Sequence, residues 1–411
     1  MDGILDVVVV GAGSAGLAAS YCLRKSGLTH RVIERGRIGE TWRTQRWTSF
    51  RLNTPAVRSM LVDDSYTGPD PWGALSQHEF ITYLEDYAGR HRLPVQTGVA
   101  AQDLADEDGI FCLQTSQGTY RSKCVVIASG NLNRPIRPSW SSGLPGELMQ
   151  IDCSAYRSTE TLGDGAVLVV GSGQSGGQIA EDLVLAGTEV YLATSRTGRL
   201  VRRYRGGDTF NWLTISGFLD VPRRELVRPD GSLPARGLLG ATHTISLQSL
   251  SAQGVALLGR FTGCDGDFLL FGGELEDHVR FADESSAAVK RFLDQYIRHA
   301  GLDAPEDEGD PAETVAQRLP DPPIRLLDWR KQNIGTLIWC TGFAGDFSWI
   351  RVPGAVDAGG RPVHQEGVCA VSGLYFAGLD FAATRKSGTI PGVVTEVPGL
   401  VDHLARYAMS R

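Results

Sequence analysis

Two glycine clusters with matching spacing are the residues best suited to chemistry in this 411-residue chain. Gly11, Gly13 and Gly16 follow the apolar run Val7–Val10, and Gly171, Gly173 and Gly176 follow Val167–Val170. A lone GxGxxG says little in a chain with 50 glycines. Each copy here stands between a strand-like run and an amphipathic helical stretch, the context that gives the spacing meaning. In that context a tight turn brings backbone amides against a pyrophosphate, and the helix N-terminus adds partial positive charge. Two such turns, far apart in one chain, imply two dinucleotides held at once and a hydride passed between them.

The residues beyond each turn distinguish the two sites. Glu34 ends the next strand of the first unit, at the spacing from Gly11 where an acid binds a ribose hydroxyl pair. The alternative is a solvated surface carboxylate. The second unit ends its equivalent strand in Thr194, Ser195 and Arg196, followed by Arg199, Arg202, Arg203 and Arg205. A hydroxyl and a guanidinium in place of the acid suit a 2′-phosphate, and the alternative is a solvated basic loop. FAD is therefore expected on Gly11, Gly13, Ser14, Ala15, Gly16, Glu34 and Arg35. NADPH is expected on Gly171, Gly173, Gln174, Ser175, Gly176, Ser195 and Arg196, with one of Arg199, Arg202 or Arg203 helping.

Positioning these groups requires a succession of short strands and helices. Helical spacing is expected over residues 14–26, 174–186 and 283–299, and from the capping-box pair Ser76 and Glu79 onward. Strands are expected over 7–10, 31–34, 125–128, 167–170, 189–194, 336–339 and 374–377. Prolines within 129–138 mark a crossing between units, and the acidic, proline-rich stretch 301–323 reads as a surface excursion or mobile loop. The last two strands are expected to return to the first unit. The fold class is then α/β with two Rossmann-like dinucleotide-binding domains. The FAD domain is discontinuous, residues 1–155 and 325–411, with an NADPH domain of residues 156–324 inserted in it.

Composition narrows the function further. A net charge of −7 argues against nucleic acid or an anionic membrane as partner. The seven cysteines are dispersed with no CxxC pair, which reads as reduced thiols in a cytoplasmic protein and against a flavin disulfide reductase. Eight histidines without an HxxxH or HxH pair give no metal site. The first apolar stretch runs straight into the glycine turn, so it is a strand and not a secretion signal, and no run reaches membrane-spanning length. The serines in GSGQSGG keep dinucleotide spacing and not that of a hydrolase elbow. The partners implied are a small-molecule substrate and O2, and a homodimer stays open.

The chain resembles the class B flavin-dependent monooxygenases, which include flavin-containing monooxygenases, Baeyer–Villiger enzymes and CzcO-like bacterial relatives. The resemblance spans essentially the whole chain. It rests on both fingerprints, on GETWR (39–43), RLNTP (51–55) and VVGSGQSGGQIAEDL (169–183), and on WCTGF (339–343), similar to the family segment that links the two domains. It implies that NADPH reduces FAD and that the reduced flavin takes up O2 as a C4a-peroxide, which passes one oxygen atom to the substrate. It also implies that Thr41, Trp42, Arg43, Leu52, Thr341 and Gly342 contact cofactor, and that Asn53 is catalytic, its neutral amide donating to the flavin-bound oxygen. Asn53 otherwise reads as a turn residue before Thr54 and Pro55, and Arg43 as a surface arginine.

The chain departs from the family in its linker, LPGELMQIDCSAYRS (144–158). Tyr156 fits the flavin-containing monooxygenase form of the signature, whereas Asp152 stands near the usual histidine or serves as a cap. N- or S-oxygenation or hydroxylation is therefore favoured. The alternatives are an NADPH oxidase or flavin-dependent dehydrogenase, a Baeyer–Villiger enzyme, and a flavoprotein using FAD structurally. Substrate contacts are expected from loops 56–75, 205–245 and 379–396, with the aromatic stretch 204–220 either walling a pocket or forming a buried helix.

Overall fold

Four consecutive valines offer water no polar face, so Leu5–Val10 becomes a strand buried on both sides. It pairs in parallel with His30–Ile33 and with Gly118–Ile127. Its side chains alternate in the usual period of two. Val7 and Val9 face a cluster with Leu17, Leu23 and Leu404, while Val8 and Val10 face Phe111 and Phe376. The structure is a computed structural model that describes residues 3–316 and 318–410. Val95–Gln96 and Leu374–Phe376 extend this parallel core on either side, and the hairpin Ala101–Glu107 and Ile110–Thr115 continues from Gly118–Ile127. Helix Ser14–Lys25 buries Ala15, Gly16, Ala18 and Ala19, small residues that let it lie close to the sheet and against helix Ile390–Met409.

A second parallel sheet carries the second turn. Its order is Ala256–Leu258, Val190–Ala193, Ala166–Val170, Ile334–Trp339 and Met149–Asp152. The chain is thus α/β with two dinucleotide-type sheets. One expected placement is corrected. Strand 334–339 does not return to the first sheet but sits between Ala166–Val170 and Met149–Asp152. The second unit therefore begins at Met149, before 156, and runs past 324 to Trp339. Two segments cross between the units side by side, Arg134–Pro135 pairing antiparallel with Phe343–Ala344.

One further expectation changes, as helix Leu275–His299 starts two turns before 283. The acidic stretch after it is largely exposed, as a surface excursion would be, and is tied to the second unit at two points. Glu313 there accepts from Arg199 at 3.0 Å and Ser286 at 2.6 Å, while Arg205 donates to the carbonyl of Pro305 at 2.8 Å. The aromatic stretch 204–220 forms a small core of its own. Tyr204, Leu213 and Leu219 are buried with Leu293 of the long helix, and Trp212 donates to the Tyr204 carbonyl at 2.8 Å.

Candidate functional site

A cavity of about 370 Å³ opens at the carboxyl ends of the first sheet's strands, where open α/β sheets place their ligands. Gly11, Gly13, Ser14 and Ala15 line it together with Glu34, Arg35, Thr41 and Trp42. The three glycines of the turn have separate causes. A Cβ on Gly11 would lie 2.5 Å from the Ala128 carbonyl oxygen, and one on Gly16 would lie 1.8 Å from that of Gly11. Packing within the chain accounts for both. Gly13 has nothing within 4 Å of its would-be Cβ and faces the cavity, so packing does not account for it. Gly13 is also the N-cap of helix Ser14–Lys25, with no capping side chain and no acid in the first turn. Its free amides and dipole face the cavity as an anion site.

Glu34 is held fixed in the cavity wall. One carboxylate oxygen accepts from the Ala12 amide and the other from Gly36, each at 2.8 Å, and the residue is 8% exposed. Two charge-assisted bonds hold the carboxylate and leave lone pairs toward the cavity. Ser129 lines the same space, and its hydroxyl is buried with no partner among the described residues. The cradle, the fixed acid and this orphan hydroxyl all fit FAD.

Sequence reasoning missed part of the wall. Arg43, expected in the cavity, instead pairs with Glu85 on helix Gln77–Arg90. Arg46 takes its place, its guanidinium 4.9 Å over Trp42, and burial pulls its pKa down to about 10. Among the described residues it has no carboxylate partner, so it adds uncompensated positive charge to the wall. Asn131, Asn133 and Asp380 also line the space, and so do Thr389 and Ile390 at the start of helix Ile390–Met409. Their available signal was position alone, directly after strands that end at the cavity. Leu52 is a correction, being 2% exposed in the core and absent from the wall. Thr341 and Gly342 are another. The Thr341 hydroxyl donates to the Ile136 carbonyl, and the Gly342 carbonyl accepts from the Ile136 amide at 2.9 Å, so both tie the crossing together.

The second turn repeats the geometry. A Cβ on Gly171 would meet the Cys340 carbonyl at 2.7 Å and one on Gly176 the Gly171 carbonyl at 1.7 Å, whereas Gly173 has nothing within 4 Å. Gly173 caps helix Gln174–Leu185 without a capping side chain. The side chain beside it is already engaged, contrary to expectation. Gln174 both donates to the Leu239 carbonyl (2.7 Å) and accepts from its amide (3.0 Å). Ser195 closes the strand end, its amide donating to Ser172 at 3.0 Å, while Arg196 lies 4.3 Å over Phe281. Two of its expected helpers are spent. Arg199 pairs with Asp283 and Glu313, and Arg202 with Asp208, both as buried guanidiniums. Arg203 stays exposed.

Asn53, expected beside the first cofactor, is not among the residues lining that cavity and lies at the seam between the units. Its Oδ1 accepts from Gln178 at 2.9 Å, and its backbone carbonyl accepts from Arg202 at 2.7 Å. Its Nδ2 has no partner among the described residues, and Gln178 Oε1 beside it is buried without one. Tyr156 is fully buried and donates to Asp182 at 2.6 Å, which with burial raises its pKa far above the usual phenol range. Asp152 caps nothing. It forms a two-point ion pair with Arg137, at 2.7 and 2.9 Å, bracing the crossing segment.

Residues 8–205 match the family model described as pyridine nucleotide-disulphide oxidoreductase. An oxidoreductase described as CzcO-like from Geobacillus kaustophilus is 31% identical over 409 residues, covering 99% of this chain and 100% of that protein. The probable indole-3-pyruvate monooxygenase YUCCA1 of Arabidopsis thaliana is 31% identical over 216 residues, 49% of this chain and 50% of that one. Among solved structures, a flavin-containing monooxygenase from Stenotrophomonas maltophilia superposes with a TM-score of 0.65 at 20% identity. That likeness covers 99% of both chains and shows the shared fold.

Proposed function

The chain belongs to the CzcO-like oxidoreductases of the flavin monooxygenase-like superfamily, and we propose that it is an NADPH- and O2-dependent monooxygenase using FAD on a small organic substrate. One observation carries the reading. Each of two glycine turns has a middle glycine facing nothing within 4 Å at an uncapped helix start. FAD would be held by the first turn with Glu34, Arg35, Thr41, Trp42 and Arg46. NADPH would be held by the second turn with Ser195 and Arg196. Bound FAD supplies two-electron transfer and, once reduced, reactivity toward oxygen.

The chain's own residues then position, neutralise and donate. Arg46 offsets negative charge at the Trp42 end of the cavity. Gln178 and Arg202 occupy both carbonyl oxygens of Asn53, so its amide Nδ2 is left as a fixed, neutral donor. Such a donor stabilises a developing oxygen anion without surrendering its proton. N- or S-oxygenation or hydroxylation is the favoured outcome.

The test needs no known substrate. Asn53→Ala should leave anaerobic, NADPH-driven flavin bleaching intact and raise substrate-free hydrogen peroxide release. Losing a donor worth about 1.5–3 kcal/mol predicts roughly a ten- to hundredfold rise. Unchanged peroxide release at normal FAD content would remove Asn53 from the mechanism, and a protein that takes up no FAD would end the whole reading.

A further inference from the structure

The sequence shows seven scattered cysteines, but folding brings two of them together. Cys153 and Cys340 each follow the last residue of neighbouring parallel strands, where Asp152 stands opposite Trp339. The Cys153 amide donates to the Trp339 carbonyl at 2.9 Å, keeping the register one residue beyond the strands. Both side chains enter the same core cluster, and the strand register sets the two thiols side by side. Parallel neighbours lie about 4.8 Å apart, inside the Cα separation of about 4.4–6.8 Å that a disulfide spans.

The surroundings favour reactivity at this pair. Cys340 underlies the second glycine turn, its Cβ 3.4 Å from where a Cβ on Gly176 would stand, and it is only half-buried. Cys153 is buried and lies in the field of Arg46, which lines the first cavity. The two neighbouring thiols shift in opposite directions, Cys153 below its ordinary range and Cys340 well above, which makes Cys153 the thiolate of the pair, while burial holds Cys22, Cys112 and Cys369 above theirs.

We propose that Cys153 and Cys340 are a redox modification site, a dithiol that hydrogen peroxide oxidises to a disulfide beneath the second glycine turn. The Cys153 thiolate attacks one peroxide oxygen, forming an S–O bond and breaking O–O, and the departing hydroxide takes a proton to become water. The Cys340 sulfur then attacks the sulfenic sulfur, forming S–S and breaking S–O, and its proton leaves with the second hydroxide as water. Two thiols lose two electrons and one peroxide becomes two waters. The bond would join the starts of two segments that leave neighbouring strands of the second sheet, one returning to that sheet at Ala166 and the other crossing to the first unit. One docks Thr48 on the Arg157 carbonyl at 2.8 Å, and the other enters the paired crossing at Phe343–Ala344.

The experiment supplies peroxide to the full-length protein, so its outcome is separate from that of the flavin reading. After limited peroxide, alkylation and digestion, titratable thiols should fall by two from the seven of the reduced chain. One cross-linked peptide pair should hold Cys153 and Cys340, and dithiothreitol should reverse it. Cys340→Ser should stop at a dimedone-reactive sulfenic acid on Cys153, and Cys153→Ser should lose no thiol pair. A map without the Cys153–Cys340 link, or one showing sulfinic acid at either cysteine in place of the link, would overturn the proposal. The wild-type map alone decides if a serine variant misfolds.

Discussion

Replacing Gly13 by alanine separates a glycine kept for the fold from one kept for a ligand. Gly13 has φ −84° and ψ −170°, a conformation open to any residue, and nothing within 4 Å of the added carbon. The fold should therefore tolerate alanine well. Reduced freedom of the unfolded chain contributes about 0.4–1 kcal/mol in its favour, and the poorer N-cap costs a similar amount. Net stability should stay within about 0.5 kcal/mol of wild type by that balance. Binding should not escape. A methyl at the mouth of the turn holds a pyrophosphate off the backbone amides, and two lost charge-assisted bonds at about 1.5–3 kcal/mol each predict a rise in Kd of roughly a hundred- to ten-thousandfold. Gly16→Ala is the control, because its Cβ would lie 1.8 Å from the Gly11 carbonyl oxygen and must displace backbone. That variant should lose stability with or without ligand, by about 1–3 kcal/mol. Thermal melts of flavin-stripped protein and titration by quenching of flavin fluorescence read the two quantities independently. A Gly13→Ala protein with wild-type affinity for FAD would show that no phosphate rests on this turn.

Two other perturbations probe the second site and the C-terminal helix. Arg196→Ala should raise the KM for NADPH and leave that for NADH nearly unchanged, since only a 2′-phosphate contact is lost. Equal losses with both cofactors would make the stacking of Arg196 on Phe281 its actual role. Glu396→Gln should stabilise the protein at neutral pH, because burial raises the Glu396 pKa above its ordinary 4.5. A raised carboxyl favours folding only while protonated, so its contribution is full below about pH 4.5 and is lost as pH rises through the folded value. Glutamine keeps the acceptor oxygen that Ser387 uses at 2.7 Å and Thr384 at 3.1 Å. The variant's gain in melting temperature should be absent at acid pH and grow upward from there, and a gain independent of pH would count against the burial argument.

Much of the fold was legible because its signals are local. Val7–Val10, the glycine turn and the small-residue helix behind it form one continuous stretch, and each is specified by its own neighbours. The place of strand 334–339 was not legible. Its partners Ala166–Val170 and Met149–Asp152 come from the first half of the chain, and a parallel strand buried on both faces has no patterning that names its sheet. The arginines failed for a related reason. Arg43 and Arg46 share one short segment, and Glu85, on the later helix Gln77–Arg90, draws Arg43 outward while Arg46 turns in. Arg199 looked free as a phosphate ligand until Asp283 and Glu313 arrived from distant elements to neutralise it. A residue type announces what it can bind, and only the fold decides what it already holds.

The same distinction separates the two turns, which share their glycine spacing. The first opens directly onto a cavity enclosed by Trp42, Arg46, Asn131 and the start of helix Ile390–Met409. A ligand there would be enclosed along its length and anchored by a carboxylate that two backbone amides already hold still. At the second turn, Gln174 grips Leu239, and a Cβ on Gly177 would lie only 2.9 Å from Leu238, so segment 236–240 lies across the helix start. Fewer groups there are left unpaired to hold a ligand, since Gln174, Arg199 and Arg202 are all engaged within the chain. A pre-set cavity retains its occupant, and a turn whose neighbouring side chains are already engaged holds its own less tightly. Those are the opposite demands that a resident flavin and an exchanging nicotinamide nucleotide place on one repeated motif.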